Sequence, residues 1–357
     1  MEAKVPRQSD DATTAAPTLE DVAARARVST ATVSRTLNTP ALVSAATRER
    51  VMAAVEALGY APNFGARVMA AKRTNTFGAI IPTMENAIFA RGLQAFQEEL
   101  GRNGITLLVA SSSYDPALEE GQVRALVARG ADALLLIGHD RTAAAYELLD
   151  RRRVPYLAAW VHDPATPRLS IGFDNRAAMQ TLAEKVLGLG HRHLAAITAP
   201  RAQNDRARAR FEGIGAAMRT QGLDAASLQV EEMAYSIENG AEAFRRLMAR
   251  RPCPTAVLCG NDVFAAGALL AAREMGLRVP EDVSVTGFDD IELAAIVTPA
   301  LTTVHVPHRE MGRRAAQMLI ALCAGNDPGP SVRLETAIAC RASLGPPPKA
   351  GCHKTFT

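Results

Sequence analysis

The chain predicts an all-α head followed by an α/β body of two doubly wound parallel-sheet lobes. Three observations carry that prediction. Thr18–Leu58 shows three short helical apolar stripes separated by capping residues. From Phe77 onward, apolar strand-like runs alternate with amphipathic helices, the grammar of parallel sheets with helical crossovers. The strands are too many for one comfortable sheet, so two lobes are the natural division.

In the head, Thr18 is placed to cap the first helix, with Asp21 three residues later completing an acidic variant of the capping box. Val22, Ala23 and Ala26 lie at helical spacing and face inward. Arg27-Val28-Ser29 breaks that helix, and Ser29 caps a second one over Thr30–Leu37. Val33 and Leu37, one turn apart, form its buried stripe, which leaves Thr30, Ala31, Thr32, Ser34 and Arg35 pointing away from the core. Ser44 opens a third helix, Ala45–Leu58, whose apolar face is Val51, Val55 and Leu58, and Gly59 ends it. Phe64–Ala71 follows as a short alanine-rich stretch, too short to be a stable helix alone in water.

Strands are expected at Phe77–Pro82, Ile105–Ala110, Ala133–Ile137, Tyr156–Ala159, Leu169–Phe173, Leu194–Ala199, Gln229–Met233, Ala256–Gly260, Ser284–Gly287 and Leu301–Val306. Helices fall between most of them, at Ala87–Arg102, Pro116–Arg129, Thr142–Arg152, Arg176–Leu189, Arg206–Gln221, Ile237–Arg250, Val263–Met275 and His308–Ala324. The resulting organisation is a disordered tail over 1–17, a three-helix head over 18–60 and a linker over 61–75. A two-lobed domain spans 76–343, and a flexible tail, rich in Pro, Gly and Lys, spans 344–357.

Composition narrows the classes. Nearly half of the 357 residues are hydrophobic, enough to bury a large core, yet no run of apolar residues is long enough to span a membrane. The first seventeen residues lack the apolar stretch of a secretory signal, so a cytoplasmic protein is expected. Five scattered cysteines form no CxxC pair, which argues against a disulfide framework or structural zinc. Between Thr18 and Arg73 eight Lys/Arg face four Asp/Glu, so the head is basic and the remainder nearly neutral. That fits a phosphate-binding head, and equally a solvated basic surface.

Specific motifs then point to a family. Thr18-Leu19-Glu20-Asp21-Val22-Ala23, the run Val28–Asn38, Val43-Ser44, Thr47-Arg48, Leu58-Gly59-Tyr60 and Pro62-Asn63 resemble the helix-turn-helix head of LacI/GalR regulators. Gly190-His191-Arg192, Asn261–Gly267 and Ser284–Asp290 resemble signatures of the same family's body. The resemblance spans Thr18–Ser343. It implies a homodimer, or a tetramer, on a palindromic double-stranded DNA operator, and a periplasmic-binding-protein-like body with a small effector in the cleft between lobes.

A helix-turn-helix lays its second helix in the major groove. Arg35 can then contact a guanine bidentately, while Thr30 and Ala31 suit small or apolar contacts. Ser29, Thr32, Ser34 and Asn38 suit phosphate contacts, although caps and plain surface are alternative readings of the serines. The resemblance makes Phe64–Ala71 a hinge helix that folds on the operator, with Met69 where the family wedges a leucine into the minor groove, and adds Asn63 to the DNA-contact set.

In the body the resemblance assigns effector binding to Arg210, Asn261 and Asp289, whose amide, guanidinium and carboxylate groups suit vicinal hydroxyls. Asn261 could also be only a helix cap and Asp289 only a turn residue. Phe89 and Trp160 are further candidates, and a core tryptophan is the alternative reading of the only Trp. Arg206 and Arg210 share a helix face. If both point into the cleft the pocket favours an anion such as a sugar acid, as in gluconate-type members; Arg206 paired with Asp205 is the alternative. No cofactor beyond a sugar or sugar-acid effector is expected, no metal, and no enzymatic activity. Gly190-His191-Arg192-His193 reads as a turn entering a strand, and Arg151-Arg152-Arg153 as a solvated helix end. An activator or dual regulator answering to a nucleoside or purine is the alternative to a sugar-controlled repressor.

Overall fold

A computed structural model describes residues 16–61, 73–85 and 87–348. The chain divides into two compact units, Met1–Thr74 and Asn75–Thr357.

The first unit contains helices α1 (Leu19–Ala26), α2 (Thr30–Asn38) and α3 (Ala45–Leu58), with a 3-10 turn, Pro40–Leu42, before α3. The predicted capping box is present. The Asp21 backbone N–H donates to Thr18 Oγ1 at 3.2 Å, and the Thr18 N–H donates to Asp21 Oδ2 at 2.8 Å. That bond from the Thr18 backbone holds the Asp21 carboxyl below its ordinary range. At α2, the Thr32 N–H donates to Ser29 Oγ. The small core gathers Val22, Ala23, Ala26, Val33, Val51, Ala54 and Tyr60, with Leu37, Val55 and Leu58 partly buried against it. Ser44 stands at the start of α3 without capping it; its hydroxyl donates to Thr47 Oγ1 instead.

The second unit holds two six-stranded sheets. In the first, β1 (Thr76–Ile81), β2 (Thr106–Ser111), β3 (Ala133–Ile137), β4 (Tyr156–Ala159), β5 (Ser170–Gly172) and β11 (Val332–Arg333) run in the order β11-β5-β4-β3-β1-β2. The second contains β6 (Leu194–Thr198), β7 (Gln229–Glu232), β8 (Ala256–Cys259), β9 (Ser284–Asp289), β10 (Thr302–His305) and β12 (Ala337–Ala339), ordered β12-β10-β9-β8-β6-β7. Every pairing is parallel except β10 with β12. Strands covered on both faces read as near-continuous apolar runs, and β1, β3 and β8, apolar apart from Thr76, are buried along their whole length.

Around the first sheet lie α4 (Ala90–Arg102), α5 (Pro116–Ala128), α6 (Ala143–Arg152) and α12 (His308–Ala324). The second sheet carries α7 (Asn175–Gly188), α8 (Asp205–Thr220), α9 (Ile237–Met248), α10 (Asp262–Glu274) and the five-residue α11 (Glu292–Ile296). The chain therefore crosses between lobes three times, at Gly172–Asn175, His305–His308 and Arg333–Ala337. The first body helix begins at Ala90, three residues later than expected, because Ala87–Phe89 form a turn. The C-terminal segment is not free from residue 344 onward: Gly345 O accepts from His191 Nε2 at 2.8 Å, and the Gly345 N–H donates to Ser284 Oγ. His191 is thus a buried structural residue, its Nδ1 bonded to Thr255 Oγ1. Arg151, Arg152 and Arg153 lie exposed at a helix end.

The strand orders reverse between β1 and β3 in one sheet and between β6 and β8 in the other. Crevices for ligands open at the carboxyl ends of strands at such switch points.

Candidate functional site: a DNA-reading helix and an interlobe cleft

On α2, Thr30, Ala31 and Arg35 are exposed, while Val33 and Thr36 point into the core. Thr32 and Ser34 are half-buried. Thr36 reaches the core because its hydroxyl donates back to Thr32 O at 2.8 Å, so the buried stripe is wider than its apolar residues indicate. Ser29 and Thr32 share a hydroxyl–hydroxyl bond at 2.9 Å in the cap. Asn38 closes α2. Asn63, Met69 and the expected hinge helix lie outside the described residues.

In the body, Arg210, Asn261 and Asp289 come together at the switch point of the second lobe, each almost wholly buried. Arg210, on the second turn of α8, donates from Nη1 to Gly260 O at 2.6 Å and from Nε to Asn175 Oδ1 at 2.8 Å. Its Nη2 lies 3.4 Å from Asp289 Oδ1. Its guanidinium also lies 3.6 Å over the Phe288 ring. Asn261 is the N-cap of α10: Phe264 N–H donates to its Oδ1 at 2.9 Å. The cap reading and the site reading are therefore compatible, because Nδ2 remains buried without a partner, as does Asp289 Oδ2. Asp289 is held at φ +99°, a left-handed conformation that non-glycine residues adopt mostly where the surroundings impose it.

Arg206 lies one turn before Arg210, but its guanidinium goes elsewhere. Its Nη1 donates to Ile137 O at 3.1 Å across the cleft and to Asp205 Oδ1 at 2.8 Å, so the pairing with Asp205 is realised. Phe89 and Trp160 do not join the cluster of Arg210, Asn261 and Asp289. They belong to the hydrophobic core, meeting edge to face at 5.3 Å, and the Trp160 indole N–H donates to His308 Nδ1 at 3.2 Å.

Sequence reasoning missed Asn175, His308, Tyr114 and Tyr235 as site residues. Tyr114 follows β2 in the first lobe and Tyr235 follows β7 in the second, and their rings meet across the cleft at 5.5 Å. Tyr235 stacks in turn on Phe264 at 5.0 Å. Burial raises the Tyr114 hydroxyl well above its ordinary pKa, and the charges of Arg206, Asp289 and Arg210 act on it as well. Both tyrosines stand just beyond strand ends, the one placement rule that could have singled them out.

A three-helix head with an exposed, basic second helix, carried on the same chain as a two-lobed body with a polar interlobe cleft, defines the class of DNA-binding regulators with a ligand-binding body. Comparison with known proteins agrees. Residues 18–63 match the description "Bacterial regulatory proteins, lacI family", and residues 183–344 match "Periplasmic binding protein-like domain". The chain is 33% identical over 316 residues to the HTH-type transcriptional regulator GntR of Pseudomonas aeruginosa, covering 88% of this chain and 92% of that protein. It is likewise 33% identical over 315 residues to the transcriptional repressor PurR of Haemophilus influenzae, covering 87% and 93%. A LacI-family regulator from Silicibacter pomeroyi superposes with a TM-score of 0.83 at 28% identity, covering 92% of this chain and 99% of that one. The Lac repressor dimer bound to operator and the anti-inducer ONPF gives 0.81 at 28% identity, covering 92% and 98%. The chain belongs to the LacI family and is a DNA-binding transcriptional regulator.

Proposed function

We propose that the chain is a repressor that acts as a homodimer in the cytoplasm and whose operator affinity is set by a small sugar or sugar-acid effector held between its lobes. The observation that supports this best is the pair of buried, unpartnered groups at the switch point. Asp289 Oδ2 is an acceptor and Asn261 Nδ2 a donor. Leaving such groups unsatisfied costs ~1–3 kcal/mol each, and a polyol offers hydroxyls that can donate to one and accept from the other. Arg210 supplies the remaining donors and a fixed positive charge.

On this reading Arg35, Thr30 and Ala31 face base edges, and Ser29, Thr32, Ser34 and Asn38 set the register on phosphates. One head reads too short a half-site alone, and two related by a dyad match a palindrome. The Lac repressor is seen as a dimer on operator, and a CelR regulator of 29% identity is seen with cellobiose.

The test is a thermal-shift screen of neutral sugars, sugar acids and nucleosides on the full chain, followed by operator selection with and without the compound that responds. At a hundredfold excess over Kd the effector stabilises the body by about 2.7 kcal/mol. A response to nucleosides alone, or selected DNA without a palindrome, overturns the proposal.

A further inference from the structure

The loop after β3 and the opening turn of α8 form two halves of a contact across the cleft. Asp205 Oδ2 accepts the His139 backbone N–H at 2.5 Å, and its Oδ1 accepts both the Arg206 backbone N–H at 2.9 Å and Nη1 at 2.8 Å. That same Nη1 donates onward to Ile137 O. Further out, Arg208 Nη2 reaches both oxygens of Asp140, at 3.1 and 2.9 Å. Burial alone would raise the Asp205 carboxyl, yet the Arg206 charge and the His139 N–H hold it below its ordinary range, so it is ionised at neutral pH.

The first lobe presents a prepared surface. Arg141, its side chain wholly buried, pairs with Glu119 at 3.1 Å and donates to Gly138 O at 2.9 Å and Tyr146 Oη at 2.5 Å. The Tyr146 hydroxyl donates to His139 O at 3.0 Å. The loop is therefore braced from its own lobe before the second lobe touches it. Gly138 stands at φ +71°, and a Cβ there would lie 1.8 Å from Arg206 Nη1 and 2.5 Å from Asp205 Oδ1. Only glycine satisfies both the conformation and the approach.

We propose that Asp205, Arg206 and Arg208 are a clasp that docks on Gly138–Asp140 and sets how far the lobes close, and that they are positioning residues, not effector ligands. The inference rests on the cleft being the effector site and adds a regulatory part to it. Effector binds the closed arrangement, so its apparent affinity scales with the fraction of molecules that are clasped. Arg206 is neutralised by Asp205, so selectivity for an anion does not come from Arg206.

The test needs no effector. Amide hydrogen exchange is followed on the full chain for the wild type, Gly138→Ala and Asp205→Ala, with small-angle scattering on the same samples. Expected is exchange faster by about tenfold or more, confined to residues 137–141 and 204–209, with a larger radius of gyration. Wild-type exchange at both segments in a folded variant overturns the clasp, as does acceleration spread evenly over both lobes. If Gly138→Ala does not fold, Asp205→Ala, which adds no atoms, decides alone. A failed effector screen leaves these readouts intact, whereas unchanged exchange beside a successful screen removes the clasp and keeps the effector site.

Discussion

The indole N–H of Trp160 donates to Nδ1 of His308, and this one bond fixes the imidazole tautomer. Nε2 must then carry the proton, which it donates to Asp289 O at 3.0 Å. From Asp289 the chain of contacts returns through its carboxylate to Arg210, through Arg210 Nε to Asn175 Oδ1, and from Asn175 Nδ2 to Trp160 O at 3.0 Å. Five buried residues thus close a ring that joins the first lobe, two crossovers and the candidate effector site. A shift of Asp289 is felt at Trp160 through two hydrogen bonds.

The ring makes stability pH-dependent. Burial, against the opposing pull of Asp289, lowers the His308 pKa from its ordinary 6.5. Below that value the unfolded chain takes up the proton and the folded one resists, so stability is full above it and declines as pH falls. His139 and His191 are lowered by burial in the same sense, while Asp262, raised by burial, acts in the opposite one. The informative quantity is therefore a difference. Between about pH 7.5 and about pH 5.5 the melting temperature of wild type should fall further than that of His308→Gln, and equal falls would remove His308 from the account.

Arg210 and Asp289 should show strong energetic coupling. Arg210→Met strands a buried carboxylate and is expected to cost about 3–5 kcal/mol. Asp289→Asn alone is milder, because Arg210 keeps Gly260 O and Asn175 Oδ1. Adding Asp289→Asn to Arg210→Met should recover part of the loss, as read from urea unfolding midpoints in a double-mutant cycle. Additive losses would mean that the two charges do not interact.

Much of this architecture was legible in the sequence, and the omissions have physical reasons. Most of the ten strands placed carry a run of apolar residues, although Gln229–Met233, with its two glutamates, does not. The two missed strands, Val332–Arg333 and Ala337–Ala339, are too short to show a period. Asn261 and Asp289 sit in recognisable motifs at strand ends, and Arg210 in one on the helix that follows β6. Arg206 and Arg210 do share a helix face, but spacing fixes only where a side chain starts, and these long ones diverge to Ile137 O and Gly260 O. Tyr114, Tyr235, His308 and the Gly138 notch come from loops or crossovers on different strands, so no spacing in the sequence joins them.

At the head, Arg35→Ala should lower base discrimination at one operator position by ~1–3 kcal/mol while leaving non-specific affinity and its salt dependence nearly intact. The exposed Arg35 contributes nothing to the small head core, so the melting temperature should hold. Selection from a randomised DNA pool reads the effect directly. An unchanged selected sequence would move base reading to Thr30 and Ala31.

Gly312 offers a final prediction, because it sets how closely α12 lies on α4. A Cβ at Gly312 would fall 1.9 Å from Gly92 O, a backbone atom that cannot swing aside. Gly312→Ala must therefore push the two helices apart, at a cost on the order of 1–3 kcal/mol. Helix α12 begins at His308, so displacing it also strains the bond to Trp160, whose ring already lies against Gly92. As the only tryptophan in the chain, Trp160 reports this without ambiguity. Gly312→Ala should lower the unfolding midpoint and shift the emission of the folded protein to the red. Gly101→Ala is the control: it lies in α4 with nothing within 4 Å of its added Cβ, and should raise the midpoint slightly through helix propensity. A Gly312→Ala protein with wild-type midpoint and emission would show that the α4–α12 contact is slack, and with it the mechanical link from the crossover to the effector site.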